Sequence, residues 1–367
     1  MDRRAFLTGV SAAAGAALMR PAAASAQAQL RKFSKPVIDA HIHWYPPAFA
    51  ALLEKEGNAN GATVTRMPNG LLNVKVPGGQ EYLPAGSVFR PEMTDAEVIL
   101  KAADARGADI SVLTQTNPHI VWAPPAFGLK LAQAINNDTA ALHSKYPKRF
   151  LGAITLPIQD PALALQELER GAKLPGMRAV NLPENVRGKN LHEKEFWPIW
   201  ERCEALGLPL FLHNLFPISE RLIEKEFSMM NVLGNPFEAT IAAMVLMLGG
   251  VMDAFPKLEV YLPHAGGFFP YAIPRVEFAI STGNFKNLKN PAAYYLRRYH
   301  YDLILHSPKL TRTLIDIVGV DRVVAGTDYP QGMAIKDPIA YVNEIPGITR
   351  REAEMILCEN PARLLRL

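Results

Sequence analysis

Residues 37–47 read VIDAHIHWYPP, an apolar run that ends in two histidines two positions apart, His41 and His43, before a pair of prolines. Positions i and i+2 of a strand share a face. A strand that leaves a core with two imidazoles side by side opens a site. Seven more apolar runs of strand length follow, at 108–116, 149–157, 176–183, 208–214, 258–267, 299–305 and 321–330. Helix-like stretches separate them, at 94–106, 127–146, 161–173, 194–206, 236–254, 270–281 and 308–318. Several open on a capping pattern: Thr94 with Glu97 three residues on, or Asp160 before Pro161. Eight buried strands alternating with helices predict an α/β fold of the (β/α)8 TIM-barrel type. An open doubly wound sheet is the alternative. No glycine-rich nucleotide fingerprint follows the first strand, which weighs against it.

The alternation breaks once. Residues 44–93 hold no clear helical unit of barrel length, and TVTRMPNGLLNVKV (63–76) reads as a hairpin around Asn69-Gly70. This is a small β insertion after strand 1, expected to lie over the top of the barrel and to shape a pocket with the loop 214–235. The 367 residues, 49% hydrophobic and 20% charged, are ample for one barrel-sized domain or two smaller ones. Residues 1–28 read as a signal peptide of twin-arginine type, with Arg3-Arg4, an Ala-rich run too short and too weak to span a bilayer, and small-residue cleavage sites at Ala24–Ala28. The barrel domain is then 29–367, exported to the periplasm, with no membrane segment in its mature form. Arg3, Arg4 and Arg20 against Asp2 account for +2 of the chain's net +4, so no basic block speaks for nucleic acid. Cys203 and Cys358 are too few for a disulfide framework.

In a barrel, reactive residues come from the C-terminal ends of strands. His41 and His43 end the first, His213 the fifth (LFLHN), His264 the sixth (YLPHAGG) and Asp328 the eighth (GTDYP). Each alone reads as an ordinary buried polar residue; five at the same pole, far apart in sequence, read as a site. Imidazoles with one carboxylate suit a borderline divalent ion, Zn²⁺ first. Asp39, two before His41, is placed on the same face as a brace for the ligands. His119, His143, His192, His300 and His306 fall in loops or on helix faces; a surface reading covers most, and His119 stands where it can touch a substrate.

The chain resembles the amidohydrolase superfamily, in its branch around α-amino-β-carboxymuconate-ε-semialdehyde decarboxylase, over roughly residues 37 to 365. DAHIH, NNDTAALHSKYPKRFLGAITLPIQDP, LFLHN, GGVMDAFPKLEVYLPHAGGFFPYAIPR, GTDYP and ENPARLL carry the likeness. The resemblance implies a distorted barrel with a small insertion after strand 1. It makes His41, His43, His213 and Asp328 metal ligands and His264 the acid/base residue. Two-metal relatives carry a bridging lysine at the end of strand 4; here GMRAVNLP has none and Lys173 precedes the strand, so one ion is expected.

The expected reaction is loss of CO₂ from a small unsaturated or aromatic carboxylic acid, the metal offsetting charge that builds during the reaction. His264 moves the proton, and the free oxygen of Asp328 accepts one from bound water. Arg275 sits at the family's spacing for a substrate arginine that reaches a neighbouring subunit's site, which implies a homodimer; it reads equally as a helix-face partner of Glu277 or Glu238. Arg90 lies near another family arginine position. Trp122 and Phe216 are aromatic walls or plain packing. NPFEATIAAMVLMLGG packs in the core or offers a Met-rich dimer face. Two other readings share the ligands: a hydrolase using metal-bound water, and a binding protein without chemistry.

Overall fold

The computed structural model describes residues 33–78, 86–213, 229–285 and 287–367. The expected export signal at 1–28, Phe216 and most of the loop 214–235 lie outside the described residues. In chain order the strands are β1 (Ile38–His43), β2 (Thr63–Arg66), β3 (Leu72–Lys75), β4 (Ser87–Val88), β5 (Ile110–Thr114), β6 (Phe150–Thr155), β7 (Met177–Pro183), β8 (Asn185–Val186), β9 (Lys189–Asn190), β10 (Leu210–His213), β11 (Val260–Leu262) and β12 (Tyr299–Tyr301). Seven of them form one parallel sheet in the order β1-β5-β6-β7-β10-β11-β12, each pairing with the next strand of the barrel expected from sequence.

The eighth segment, 321–330, closes the ring without a full ladder. It pairs at Val323 with Tyr301 on one side and at Tyr329 with Ile42 on the other. Val324 donates to the Tyr301 carbonyl (2.8 Å), Ala40 to Ala325 (2.9 Å), Asp328 to His41 (2.8 Å) and His43 to Tyr329 (2.7 Å). A buried carboxylate locks this seam. Asp39 accepts from the Thr327 hydroxyl (2.6 Å) and N–H (3.0 Å), and from the N–H of His41 (3.3 Å). Arg106 stands 3.8 Å from it and lies over the Tyr329 ring. Burial pushes the Asp39 carboxyl up; Arg106 and the Thr327 hydrogen bonds oppose that. Asp39 thus touches the ligand-bearing segments through the His41 N–H and Thr327. The β1–β5 pairing shifts register between Asp39 and Ile42, which breaks the simple alternation, and Asp39 holds backbone and seam.

Inside the ring Ile38, Ala40, Val112, Leu151, Ala153, Ala179, Phe211, Tyr261 and Val324 form one cluster. Small side chains at 40, 153 and 179 leave room for the stacked Phe211–Tyr261 pair, 4.6 Å between centroids. Outside it, Ile42, Trp44, Leu113 and Phe150 meet Ile99 and Leu142 of the surrounding helices. Seven helices stand where expected: Ala96–Arg106, Pro125–Lys145, Pro161–Gly171, Trp197–Leu206, Asn235–Leu248, Phe269–Ser281 and Pro308–Val318. Asp160 caps its helix through Ala162 and Leu163. The other cap is corrected: Asp95, not Thr94, accepts the first N–H groups of Ala96–Arg106, because the Thr94 hydroxyl is spent on the Arg90 carbonyl in the short helix Pro91–Thr94. The run Met230–Leu248 is apolar enough, by length and composition, to cross a membrane. Ala239, Ala242, Ala243, Leu246 and Met247 of it are buried in the fold.

The insertion holds the predicted hairpin, with Thr63 opposite Lys75 and Arg66 opposite Leu72, and β4 added on β3. It also holds a short helix at Pro47–Leu52, continued by wider and tighter turns through Asn60, in a stretch expected to hold no helical unit of barrel length. A proline in its first turn and the apolar Phe49 and Leu53 explain it: both are buried with Tyr45, Phe89, Met93, Phe127 and Leu131 in a second core. Tyr45 stacks on Phe89 at 4.2 Å. Both cysteines are buried and unpaired with each other.

Thr327→Val removes the hydroxyl that donates to the Asp39 carboxylate. Hydrogen bonds to charged groups contribute about 1.5–3 kcal/mol, so urea unfolding of the metal-free variant should show a loss of that order. An unchanged midpoint would mean that the seam does not depend on this contact.

Candidate metal centre

Strand ends bring the sequence candidates together. His41 and His43 stand at the end of β1, His213 at the end of β10, and Asp328 at the end of the eighth segment. One atom from each lies within 4.8 Å of the others, and all four residues are buried. Asp328 Oδ1 is the meeting point: His43 Nε2 lies 2.8 Å away, His41 Nε2 3.5 Å and His213 Nε2 3.9 Å. Among the described residues one group of this kind is present.

The outer nitrogens decide what these rings can do. His41 Nδ1 is 3.2 Å from Asp302 Oδ2, a carboxylate that only accepts. His43 Nδ1 is 3.3 Å from Thr114 Oγ1, whose own proton goes to the Ile42 carbonyl (2.8 Å). Both protons are thus drawn outward, and the Nε2 lone pairs face the Asp328 oxygen. Burial first, with His213 adding, lowers His41 and His43 to about 3, so both rings are neutral. Burial would raise the Asp328 carboxyl, but the imidazoles of His213, His43 and His41 around it outweigh burial and hold it well below the usual range. His41 Nε2 is buried without a hydrogen-bond partner. Acceptors converging on acceptors fit a cation. Four donors around an ion at about 2.0–2.2 Å stand roughly 3.4 Å apart, close to the spacings here.

Backbone strain holds this arrangement. Asp328 (φ 65°) and the run His264, Ala265, Gly266, Gly267 (φ 52°, 53°, 71°, 59°) are all left-handed. A Cβ on Gly267 would lie 1.9 Å from the Pro236 carbonyl oxygen, and one on Gly326 would lie 2.4 Å from the Tyr261 hydroxyl and 2.9 Å from His41 Cβ. The glycines of HAGG and GTDYP are therefore demanded by close approach.

Over the group lies a cavity of about 740 Å³, lined by Tyr45, Arg90, His213, His264, His306 and Asp328 among others. That is the size of a small-molecule site. The His264 ring centroid is 5.8 Å from that of His213 and 6.3 Å from that of His41. Burial first, with His213 and His41, lowers His264 to about 4 against the pull of Asp328 and Asp302. Arg90 reaches the cavity wall and donates to the Pro330 carbonyl (3.3 Å).

Other expectations are corrected. Trp122 lies in the insertion's core against Phe127, its Nε1 turned to the His119 carbonyl (2.6 Å), because the loop folds that ring under the hairpin and away from the cavity. Arg275 is exposed on its helix; Glu277 accepts instead from the Ala293 N–H, and Glu238 is buried beside Asn185. The surface reading fails for His300, buried and paired with Glu259 (2.8 Å); His306 is exposed as expected and also lines the cavity mouth. His119 is buried, and burial first, with His213, lowers it to about 3. Lys173 lies ahead of β7, and the position just past that strand is Glu184, a buried acid pushed well up by burial and then by Glu238. Asp302 is the residue the sequence reading missed, although its signal in YHYDLIL, a carboxylate directly after an apolar strand, is the one that marks Asp328.

Two outcomes follow. Asp328→Ala should reduce bound metal, measured by elemental analysis, from about one ion per chain to near zero. Second, His41, His43 and His119 at about 3 and His264 at about 4 bind fewer protons folded than unfolded, where histidine titrates at 6.5. The metal-free protein should therefore be most stable above pH 6.5 and lose stability as pH falls through 6.5 to 4. His300, lowered by burial, adds to them, while Asp302, raised by burial to about 6, and Asp39 and Glu184, also raised by burial, oppose them: three carboxyls against five imidazoles. A thermal midpoint that is flat over that window would contradict buried neutral imidazoles.

The chain is 29% identical over 339 residues to 2-amino-3-carboxymuconate-6-semialdehyde decarboxylase of Dictyostelium discoideum, covering 90% of this chain and 91% of that one. It is 29% identical over 249 residues to gamma-resorcylate decarboxylase of Polaromonas sp., covering 63% and 76%. Among solved structures, dihydroxybenzoic acid decarboxylase of Polaromonas sp. with bound manganese and the inhibitor 2-nitroresorcinol superposes with a TM-score of 0.73 at 21% identity, over 91% of this chain and 97% of that one. The amidohydrolase family model matches residues 38–367, and the chain belongs to that family.

Proposed function

We propose that this protein is a metal-dependent, non-oxidative decarboxylase of a small unsaturated or aromatic carboxylic acid. The observation that carries the reading is His264, poised in the same cavity beside three imidazoles and a carboxylate that converge on one point. The relatives named as decarboxylases support it over a hydrolase. His41, His43, His213 and Asp328 hold one divalent ion; Zn²⁺ suits nitrogen-rich tetrahedral donors, and a neighbouring structure carries manganese. When bound, the ion polarises the substrate's oxygens and offsets the negative charge that develops on it.

The chain's own residues do the rest. Arg90 offers a guanidinium to the substrate carboxylate at the cavity wall. His264 is neutral in the empty cavity; an anion entering beside it raises its proton affinity, so it charges as substrate binds. It then gives that proton to the carbon bearing the carboxylate, which uses a π electron pair for the new C–H bond. The C–C bond to the carboxylate breaks, its electron pair restores the unsaturation, and CO₂ leaves. The buried site keeps bulk solvent from quenching the charge.

A homodimer fits the surface. Val232, Leu233, Phe237 and Phe268 are 68%, 52%, 45% and 57% exposed. Val232 also lines the cavity, and Phe268 donates its N–H to Thr240 of the helix that carries Phe237. A partner covering this patch would bring Arg275, exposed on the adjoining helix Phe269–Ser281, towards a neighbouring site. Arg3-Arg4 and the small residues that follow support export to the periplasm.

Candidate 2-hydroxybenzoic and muconic acids, incubated with metal-loaded protein without oxygen, should release one CO₂ per product, with a solvent deuteron at the vacated carbon in D₂O. His264→Asn should lower kcat by roughly 10²–10⁴-fold, the range for a lost proton-transfer residue, while Arg90→Ala should act mainly on KM. Incorporation of solvent ¹⁸O with no CO₂ would instead favour the hydrolase.

A further inference from the structure

Asp302 follows β12 and is fully buried. Its two oxygens gather five donors. Oδ1 accepts from the N–H groups of Ala265 (2.7 Å) and Ile304 (3.0 Å). Oδ2 accepts from the His264 N–H (3.0 Å), His41 Nδ1 (3.2 Å) and the Tyr261 hydroxyl (3.4 Å). His264 and Ala265 are consecutive left-handed residues, and successive N–H groups in such a turn make a concave seat for an anion. One carboxylate therefore touches a metal ligand on β1 and the backbone that carries His264 after β11.

We propose that Asp302 is a positioning residue that couples the metal centre to His264. It keeps the His41 proton on Nδ1, which leaves Nε2 for the ion. Through the N–H groups of His264 and Ala265 it also fixes where the His264 ring stands beside that ion. The part concerning His264 rests on the decarboxylase reading; the part concerning His41 does not. An amide cannot replace the carboxylate, because all five neighbours donate and the asparagine NH₂ brings two N–H donors of its own. Facing His41, that NH₂ would drive the proton to Nε2, where the ion binds.

Asp302→Asn, nearly the same shape, tests this. Its affinity for Zn²⁺, measured by competition with a chromophoric chelator, should fall ten- to a hundredfold, the usual effect of losing a partner of a metal-bound histidine. With saturating metal, kcat should still fall at least tenfold while KM stays within about twofold, since Arg90 and the cavity wall are untouched. Wild-type affinity and wild-type kcat together would overturn the proposal; lost affinity with normal kcat would overturn the coupling to His264. If the variant does not fold, ¹⁵N NMR of the histidine-labelled, metal-loaded wild-type protein decides. His41 protonated on Nδ1 supports the proposal, and the opposite tautomer sinks it. Chelator competition and NMR need no turnover, so they judge Asp302 even if no acid proves to be a substrate.

Discussion

Buried lone pairs pointed at one another are the constraint on which this structure turns. Two imidazole nitrogens with their protons committed elsewhere, a third imidazole and an ionised carboxylate share a space less than 5 Å across. Without a positive charge between them such a group is repulsive, and burial removes the water that would soften the repulsion. The fold holds it nonetheless, because each member is anchored from behind: His41 by Asp302, His43 by Thr114, Asp328 by a backbone bond to His41. The anchors lie on different strands, so no single one can relax the geometry.

Most of the machinery around that point serves to keep it strained and in place. Non-glycine residues held left-handed cost on the order of 1–3 kcal/mol each, and Asp328, His264 and Ala265 are three of them. Tight glycine contacts with Tyr261, His41 and Pro236 surround them. The stacked Phe211–Tyr261 pair fills the ring below and gives the strand ends a firm floor. Above, the insertion brings its own aromatic core, so the cavity wall carrying Arg90 rests on Tyr45, Phe49 and Phe89 and not on a bare loop.

What the chain discloses before folding is what short-range pattern can encode. Apolar runs that stop at a histidine or an aspartate gave the strands, their order and all four ligands, because the polar residue at the C-terminal end of a barrel strand has one place to go. The features that escaped depend on contacts across the ring. Asp39 was legible as a buried brace, but its main partner, Thr327 of the closing segment, was not, since a register shift in the first strand is invisible in one strand's sequence. Trp122 and the helix at Pro47–Leu52 are settled by a second core built from three separate segments. Asp302 escaped although its local signal matches that of Asp328, since its importance comes from five donors supplied by β1, β11 and its own loop. Arg275 is legible as a residue type, and the fold leaves it exposed on its helix.

The way the ring closes has a temporal side. His41 and His43 belong to the first strand of the ring and Asp328 to its last segment, held by scattered backbone bonds rather than a ladder. A growing polypeptide can display the imidazoles of β1 and β10 long before the aspartate exists, so early ion capture would be weak and reversible. Tight capture waits for the final stave. An ion held there would tie first and last staves together like a rivet and mark the closure of the ring.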